Sequence, residues 1–353
     1  MCARRVVALL VAGLAIIAFA IWLSLLRHLE RATLTGDLVL PGLEQAVASV
    51  TELQLHRLEQ HATLLAADGA WRVKERDWPA DAGRVRRLLL DLGALNVVEE
   101  KTRLPANYPA LGVEDVSTPK ASGTQVDIRA PGRSWSLIVG KPSGAKSGYV
   151  RVVNTPQSLL AAPALSVDAD PKSWLERTLI DVPLERVREI EVRLADAPAY
   201  SALRAKKEDA HFSVTPLPKG RELNGPGAAD SLGAALSGVI LDDLAPAAAA
   251  PATAHTLVRT FDGLEVTVSG RKDGARALIA LSAHAAEPTA AAEADKLNAR
   301  FKDREFAIAD YKYGALFPPL TELLKPLPER KKSAAKAAQP GKPAGATVPL
   351  DTP

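Results

Sequence analysis

The side chains best suited to chemistry are dispersed along the chain. Glu99-Glu100 and Asp242-Asp243 are acidic pairs of the kind that share a proton or hold a cation. Adjacent residues on a strand point to opposite faces, so both pairs read as solvated surface groups. Six histidines, His28, His56, His61, His211, His255 and His284, show neither H-E-x-x-H nor H-x-x-x-H spacing, and no metal site is expected from them. Gly140-Lys141-Pro142-Ser143-Gly144 resembles a phosphate loop only superficially. It lacks G-x-x-x-x-G-K-[ST] spacing between a strand and a helix, and its Gly and Ser content suits a hairpin turn. There is no G-x-S-x-G elbow, and the single cysteine, Cys2, is no plausible nucleophile. No catalytic residue and no cofactor is expected.

Four of the five tryptophans, Trp71, Trp78, Trp135 and Trp174, fall in the stretch read below as a first unit and the joint that follows it. Stacking sites for a ligand use such residues, but so do cores, where a large ring is buried and its indole N–H needs one partner. Trp71, Trp135 and Trp174, with Tyr149, are the candidate contacts for a ligand or partner. The basic residues Arg330, Lys331, Lys332, Lys336 and Lys342 belong to a Pro/Ala/Lys tail, residues 326–353, without apolar periodicity. Such a segment buries too little surface to offset its ordering entropy and is expected to be disordered.

These residues must be positioned by the elements between them. Residues 50–55 alternate apolar and polar as a half-buried strand does, and residues 62–73 around Asp68-Gly69 read as a hairpin. Pro79-Ala80-Asp81 opens a helix on which Val85, Leu88, Leu89, Leu92 and Leu95 recur at helical spacing. Strands are expected at Val97-Val98, 125–129, 135–139 and 149–153. The same order then recurs. Residues 187–192 repeat the pattern of 50–55, a helical stripe follows at Leu232, Ala235, Leu236, Val239 and Ile240, and Leu264, Val266 and Val268 before Gly270 echo Trp135, Leu137 and Val139 before Gly140. Residues 245–254 and a helix-like stretch at 290–302 read as insertions in the second copy.

At the start of the chain, residues 6–26 form an apolar run without charge, long enough to cross a bilayer of about 30 Å as a helix. It is longer than a signal-peptide core, and the Ala18-Phe19-Ala20 match is followed by more apolar sequence. An uncleaved anchor is expected. Arg4 and Arg5 are balanced by Arg27 and Arg31, and the N-terminal amine tips the count toward a cytoplasmic N-terminus. The exported part then contains no cysteine, which suits an oxidising periplasm.

The expected fold class is α+β: an N-terminal transmembrane helix followed by two related units, each a curved, mostly antiparallel sheet with a covering helix. The divisions are a cytoplasmic stub and anchor (1–26), a juxtamembrane connector (27–48), a first unit (49–166), a joint (167–186), a second unit (187–325) and the tail (326–353). The net charge of +3, from 44 Lys and Arg against 41 Asp and Glu, with 5% aromatics, gives no argument for a nucleic-acid partner.

Trp78-Pro79-Ala80-Asp81 before the Leu-rich helix, Tyr108-Pro109-Ala110-Leu111-Gly112-Val113, Leu137-Ile138-Val139-Gly140 with Gly148-Tyr149-Val150-Arg151, and Ser173-Trp174-Leu175 form a series in fixed order. The series resembles the bacterial domain-of-unknown-function family 4340, over about residues 53–192. Pro109-Ala110 depart from that family's usual Tyr-Gly-Leu. The resemblance implies a single-span envelope protein of the kind encoded near ATP-driven exporters, and carries no catalytic residues. The functional expectation is a non-enzymatic, inner-membrane-anchored periplasmic protein that binds a protein partner in or on the same membrane. The alternative is a periplasmic binding module for a small molecule or glycan.

Overall fold

The computed structural model describes residues 16–19, 22, 36–248 and 250–326. Strand alternation dominates it. Leu53 and Leu55 of β1 (Glu52–Arg57) point inward and are fully buried, while the Glu52, Gln54 and His56 positions between them are half-buried. This period-2 burial propagates through the first sheet. It contains β2 (Gln60–Ala67), β3 (Ala70–Val73), β4 (Trp78–Pro79), β5 (Asn96–Glu100), β6 (Thr124–Ala130), β7 (Arg133–Ser143), β8 (Ser147–Val152) and β9 (Ser158–Ala162). Its order is β4-β3-β2-β1-β6-β7-β8-β9-β5.

The second sheet contains β10 (Thr178–Ile180), β11 (Val187–Leu194), β12 (Ala197–Leu203), β13 (Ser213–Thr215), β14 (Val239–Pro246), β15 (Ala254–Thr260), β16 (Leu264–Asp273), β17 (Arg276–Ala285) and β18 (Arg304–Ile308). Its order is β10-β14-β18-β17-β16-β15-β11-β12-β13. The strand pairings in both sheets are antiparallel. With β4 and β10 set aside, the sheets run β3-β2-β1-β6-β7-β8-β9-β5 and β13-β12-β11-β15-β16-β17-β18-β14, an identical order built in the same chain succession.

The α+β expectation headed by a transmembrane helix is corrected by this architecture. The described residues are mostly two antiparallel sheets, and none of their helices is long and apolar enough to cross a membrane. The apolar run at 6–26 lies outside the described residues except at 16–19 and 22, as does the tail beyond Pro326. The expected helical stripe at 232–240 is the second correction. Only α4 (Asp230–Gly233) is helical there. Gly238 turns left-handed at φ 55, its N–H and the Ser237 hydroxyl are held by the Asp181 carboxylate, and β-branched Val239 and Ile240 start β14.

Each sheet therefore acquires its cover differently. On the first, α2 (Ala82–Gly93) buries Val85, Leu88, Leu89 and Leu92, and the Asp81 carboxylate accepts from the Arg84 N–H at 2.9 Å as its N-cap. Beside it, Val39, Leu40 and α1 (Leu43–Ala46) enter the same core, although the sequence suggests only a connector there. On the second, the cover is a C-terminal arm of α6 (Asp310–Leu316) and α7 (Leu320–Leu323). Its Leu316 and Pro318 carbonyls accept from Thr256 Oγ1 and the Tyr200 hydroxyl, and Phe317 lies against the open face of Gly270, where a Cβ would collide with its ring. The helix α5 (Ala291–Phe301) guards the edge of β17, where Asn298 exchanges hydrogen bonds with both the N–H and the C=O of Ala283. One hydrophobic cluster runs through both units, from Leu53 and Leu137 to Val266 and Phe306.

Candidate functional site between the two sheets

The two units meet at the β3–β4 turn. Lys74–Arg76 form a single 3-10 turn that ends with Asp77 in the left-handed region at φ 45. Arg72 holds that conformation by donating to the Asp77 carbonyl and carboxylate. The chain emerging from the turn aims Trp78 at the second sheet. Its indole is 1% exposed, donates Nε1–H to the Glu176 carbonyl at 2.9 Å and meets Phe306 of β18 edge-on at 5.3 Å. The guanidinium groups of Arg300 and Arg304 lie over the same ring at 4.9 and 5.6 Å.

Ion pairs tie the turn to the second unit on either side of Trp78. Arg304 donates to the Asp77 carbonyl at 2.6 Å and to its carboxylate at 2.8 Å. Arg76 Nε donates to Asp243 Oδ1 at 2.8 Å, and Lys172 Nζ lies 3.3 Å from the other oxygen. Hydrogen bonding from Arg72, with Arg304 second, holds the Asp77 carboxyl below its ordinary range. For Asp243, burial pushes the carboxyl up. Hydrogen bonds from Arg76 and the Leu244 N–H, the Arg76 charge and Lys172 outweigh that, and the net direction is down. Burial lowers Arg300, which gives one hydrogen bond, Nη2 to the Thr178 carbonyl at 2.6 Å, and leaves Nε buried without a partner.

Alongside this contact runs a groove of about 630 Å³, with Lys74, Glu75, Arg76 and Asp77 on one wall and Leu244, Pro246, Ala299, Lys302, Asp303 and Arg304 on the other. The volume falls in the usual range for binding sites. Lys74 and Lys302 are exposed, one from each unit.

The expected contact residues do not converge here. Trp174 is fully buried and donates to the Asp168 carbonyl at 2.7 Å beneath Arg84. Trp71 and Trp135 pack against the main core, four strand steps apart, or roughly 19 Å at about 4.8 Å per step. Trp135 donates to the Pro41 carbonyl at 3.1 Å. Tyr149 lies on the opposite face of the first sheet, in a small cluster with Tyr108, Val113 and Ile138. Asp242 and Asp243 do diverge, to Arg177 and Arg76, but Asp243 is an ion-pair centre between the units rather than a solvated group. Glu99 and Glu100 face Lys101 and Arg103. Gly140–Ser143 belong to β7, and only the residues after them turn. Among the described residues no group of three His, Cys, Asp or Glu side chains could hold a metal ion. His255 touches Ser269 Oγ at 3.0 Å, an exposed cross-strand pair rather than a Ser-His-acid constellation. Phe306, Arg300 and Arg304 carried no signal of their own; only Trp78 stood in a motif.

The residues that form the remaining motifs assemble into a clamp on the outer face of the first sheet. Arg151, 4% exposed, donates to the carbonyls of Val113 at 2.8 Å and Thr155 at 3.1 Å, pairs with Asp115 and lies 4.8 Å from the centre of the Tyr108 ring. Lys141 caps the end of the short helix α3 (Tyr108–Leu111) through the carbonyls of Pro109 and Ala110. Gly140 permits the approach, since a Cβ there would collide with the Leu111 carbonyl. These residues hold the 102–122 loop down and carry no reactive group.

No curated protein and no solved structure matches the chain. A family model does, over residues 71–274, which begins at β3, takes in the clamp and Trp78, and ends after β16 of the second sheet. The chain belongs to the family described as a domain of unknown function, DUF4340.

Proposed function

We propose that the chain is a non-enzymatic binding protein, held at a bacterial inner membrane through residues 6–26 with its bulk in the periplasm, which engages a protein partner in an envelope or transport-associated complex. The observation that carries the binding reading is the contact between the two sheets. Trp78 and its cationic neighbours join the units into one body and leave a groove along the junction, with lysines from both units at its rim. The apolar run and the absence of cysteine after Cys2 support the location. Tethering raises the effective concentration of the groove toward partners in the same membrane. The placement of Trp71, Trp135 and Trp174 in or against the core favours a protein partner over a stacked sugar ring.

The test is gentle crosslinking in intact cells followed by purification from solubilised membranes. Co-recovery of a stoichiometric envelope protein is expected. Recovery of the chain alone, or from the soluble cytoplasm, overturns the proposal.

A further inference from the structure

We propose that the groove between the sheets is a docking site for an extended acidic peptide segment, an assignment that rests on the partner-binding reading above. One wall is the outer edge of β14. In the pairing of β14 with β18, Ala245 stands opposite Glu305 and the Ala247 N–H donates to the Asp303 carbonyl at 3.0 Å. Leu244 and Pro246 therefore direct their backbone groups the other way, into the groove. This edge is one-sided in its chemistry. Pro246 has no N–H, and the Leu244 N–H is taken by the Asp243 carboxylate at 2.9 Å. Two carbonyls remain, and they require a ligand that donates. Regular strand addition, which needs donors and acceptors in alternation, is blocked.

The charges select the rest. Three acids line the groove: Glu75 accepts from the Thr63 N–H at 3.0 Å, Asp77 is clamped by Arg72 and Arg304, and Asp303 is exposed beside Lys302, so the four basic residues Lys74, Arg76, Lys302 and Arg304 outnumber the acids by one. Lys74 and Lys302 have no ion-pair partner among the described residues, while the guanidinium groups of Arg76 and Arg304 are held by Asp243 and Asp77. Leu244, Pro246 and Ala299 supply apolar wall. Backbone N–H donors, carboxylates and small apolar side chains in one linear ligand describe an acidic peptide. A free phosphate offers neither the N–H groups nor the length.

The experiment uses the full chain in detergent and a fluorescein-labelled octapeptide of alternating aspartate and leucine, read by anisotropy. A lysine-leucine octapeptide and inorganic phosphate serve as controls. Binding of the acidic peptide is expected, with at least tenfold weaker affinity in the K74E/K302E double variant and no change in K219E, an exposed lysine away from the groove. Both variants alter exposed side chains, and an unchanged Tm confirms that they fold. The proposal is overturned if the wild-type chain does not bind the acidic peptide, if the double variant binds it as well as K219E does, or if millimolar phosphate alone displaces it completely. Should a partner be recovered by crosslinking equally from wild type and K74E/K302E, the groove assignment fails while the partner-binding reading stands. Should crosslinking recover nothing from wild type, the broader reading fails whatever the peptide does.

Discussion

The indole of Trp78 and the ring of Phe306 meet edge-on at 5.3 Å, although 228 positions separate them, and this contact joins the edge of one sheet to the body of the other. Trp78→Ala removes the largest side chain at the junction, and a loss of about 3–5 kcal/mol is expected. Two-state denaturant unfolding measures it. Trp78→Phe keeps the aromatic edge and should lose clearly less; equal losses from both would show that the ring contact is not what matters.

Gly270 gives a prediction of the opposite kind. A Cβ there would enter the Phe317 ring and touch Tyr313, so Gly270→Ala should overpack the second sheet and cost about 1–3 kcal/mol. Combining it with Phe317→Leu should recover part of that loss, since the two residues share one volume. Strict additivity of the two changes in thermal unfolding would refute the close approach.

Arg151→Met strips the donors from the Val113 and Thr155 carbonyls while roughly keeping the stem. Leaving the buried Val113 acceptor unpaired should cost about 1–3 kcal/mol. The effect is local, and hydrogen exchange should rise across residues 103–122 well before the sheets. Arg151→Lys should not rescue protection, because a single ammonium cannot reproduce the fork.

The junction is also acid-sensitive. Asp77 and Asp243 both have folded-state pKa values below the ordinary carboxylate value of 3.8. A depressed carboxyl stabilises the fold above its unfolded pKa, and that contribution disappears as pH falls through the folded value. Stability supplied by these pairs should therefore be intact at neutral pH and decline below about pH 4. In thermal scans between pH 7 and pH 2.5, Asp243→Asn should start from a lower Tm and show a shallower acid decline than wild type. Parallel curves for the two proteins would remove Asp243 from the account.

The strands were legible where one face is buried and the other wet. Residues 52–55, 125–129 and 189–192 alternate in sequence and in burial, and Asp68 and Gly69, both at positive φ, make the β2–β3 turn. Register was not legible. Matching Trp135, Leu137 and Val139 with Leu264, Val266 and Val268 sets Val139 against Val268, but the ladders disagree. Leu53 neighbours Ile128, which pairs with Trp135; Ile190 neighbours Val258, which pairs with Val266. Trp135 thus occupies the place of Val266, and Gly270 that of Val139. Gly140 and Gly270 serve opposite faces, one admitting the Leu111 carbonyl outside and the other the Phe317 ring inside. Composition cannot distinguish those reasons.

The candidate site was less legible still, because its parts are far apart in the chain. Asp243 reads as half of a surface pair until Arg76 arrives from the other unit. Arg300 and Arg304 look like ordinary helix-end and strand charges, and only the fold brings both over one indole. Tryptophans invite a stacking interpretation, yet Trp174 uses its N–H inside the core.

The C-terminal arm sets an order of events. The strands of the first sheet, its α2 cover and the segment beneath it are all contained in residues 38–162, so that unit can close while synthesis continues. The second sheet keeps an uncovered apolar face, including Val266, Val268 and the Gly270 gap, until Tyr313, Phe317 and Leu320 exist to fill it. Phe306 reaches Trp78 only in that last stretch. A nascent chain stopped before residue 310 would carry one finished sheet beside one sticky one, and any factor that escorts this protein during folding has its longest task there.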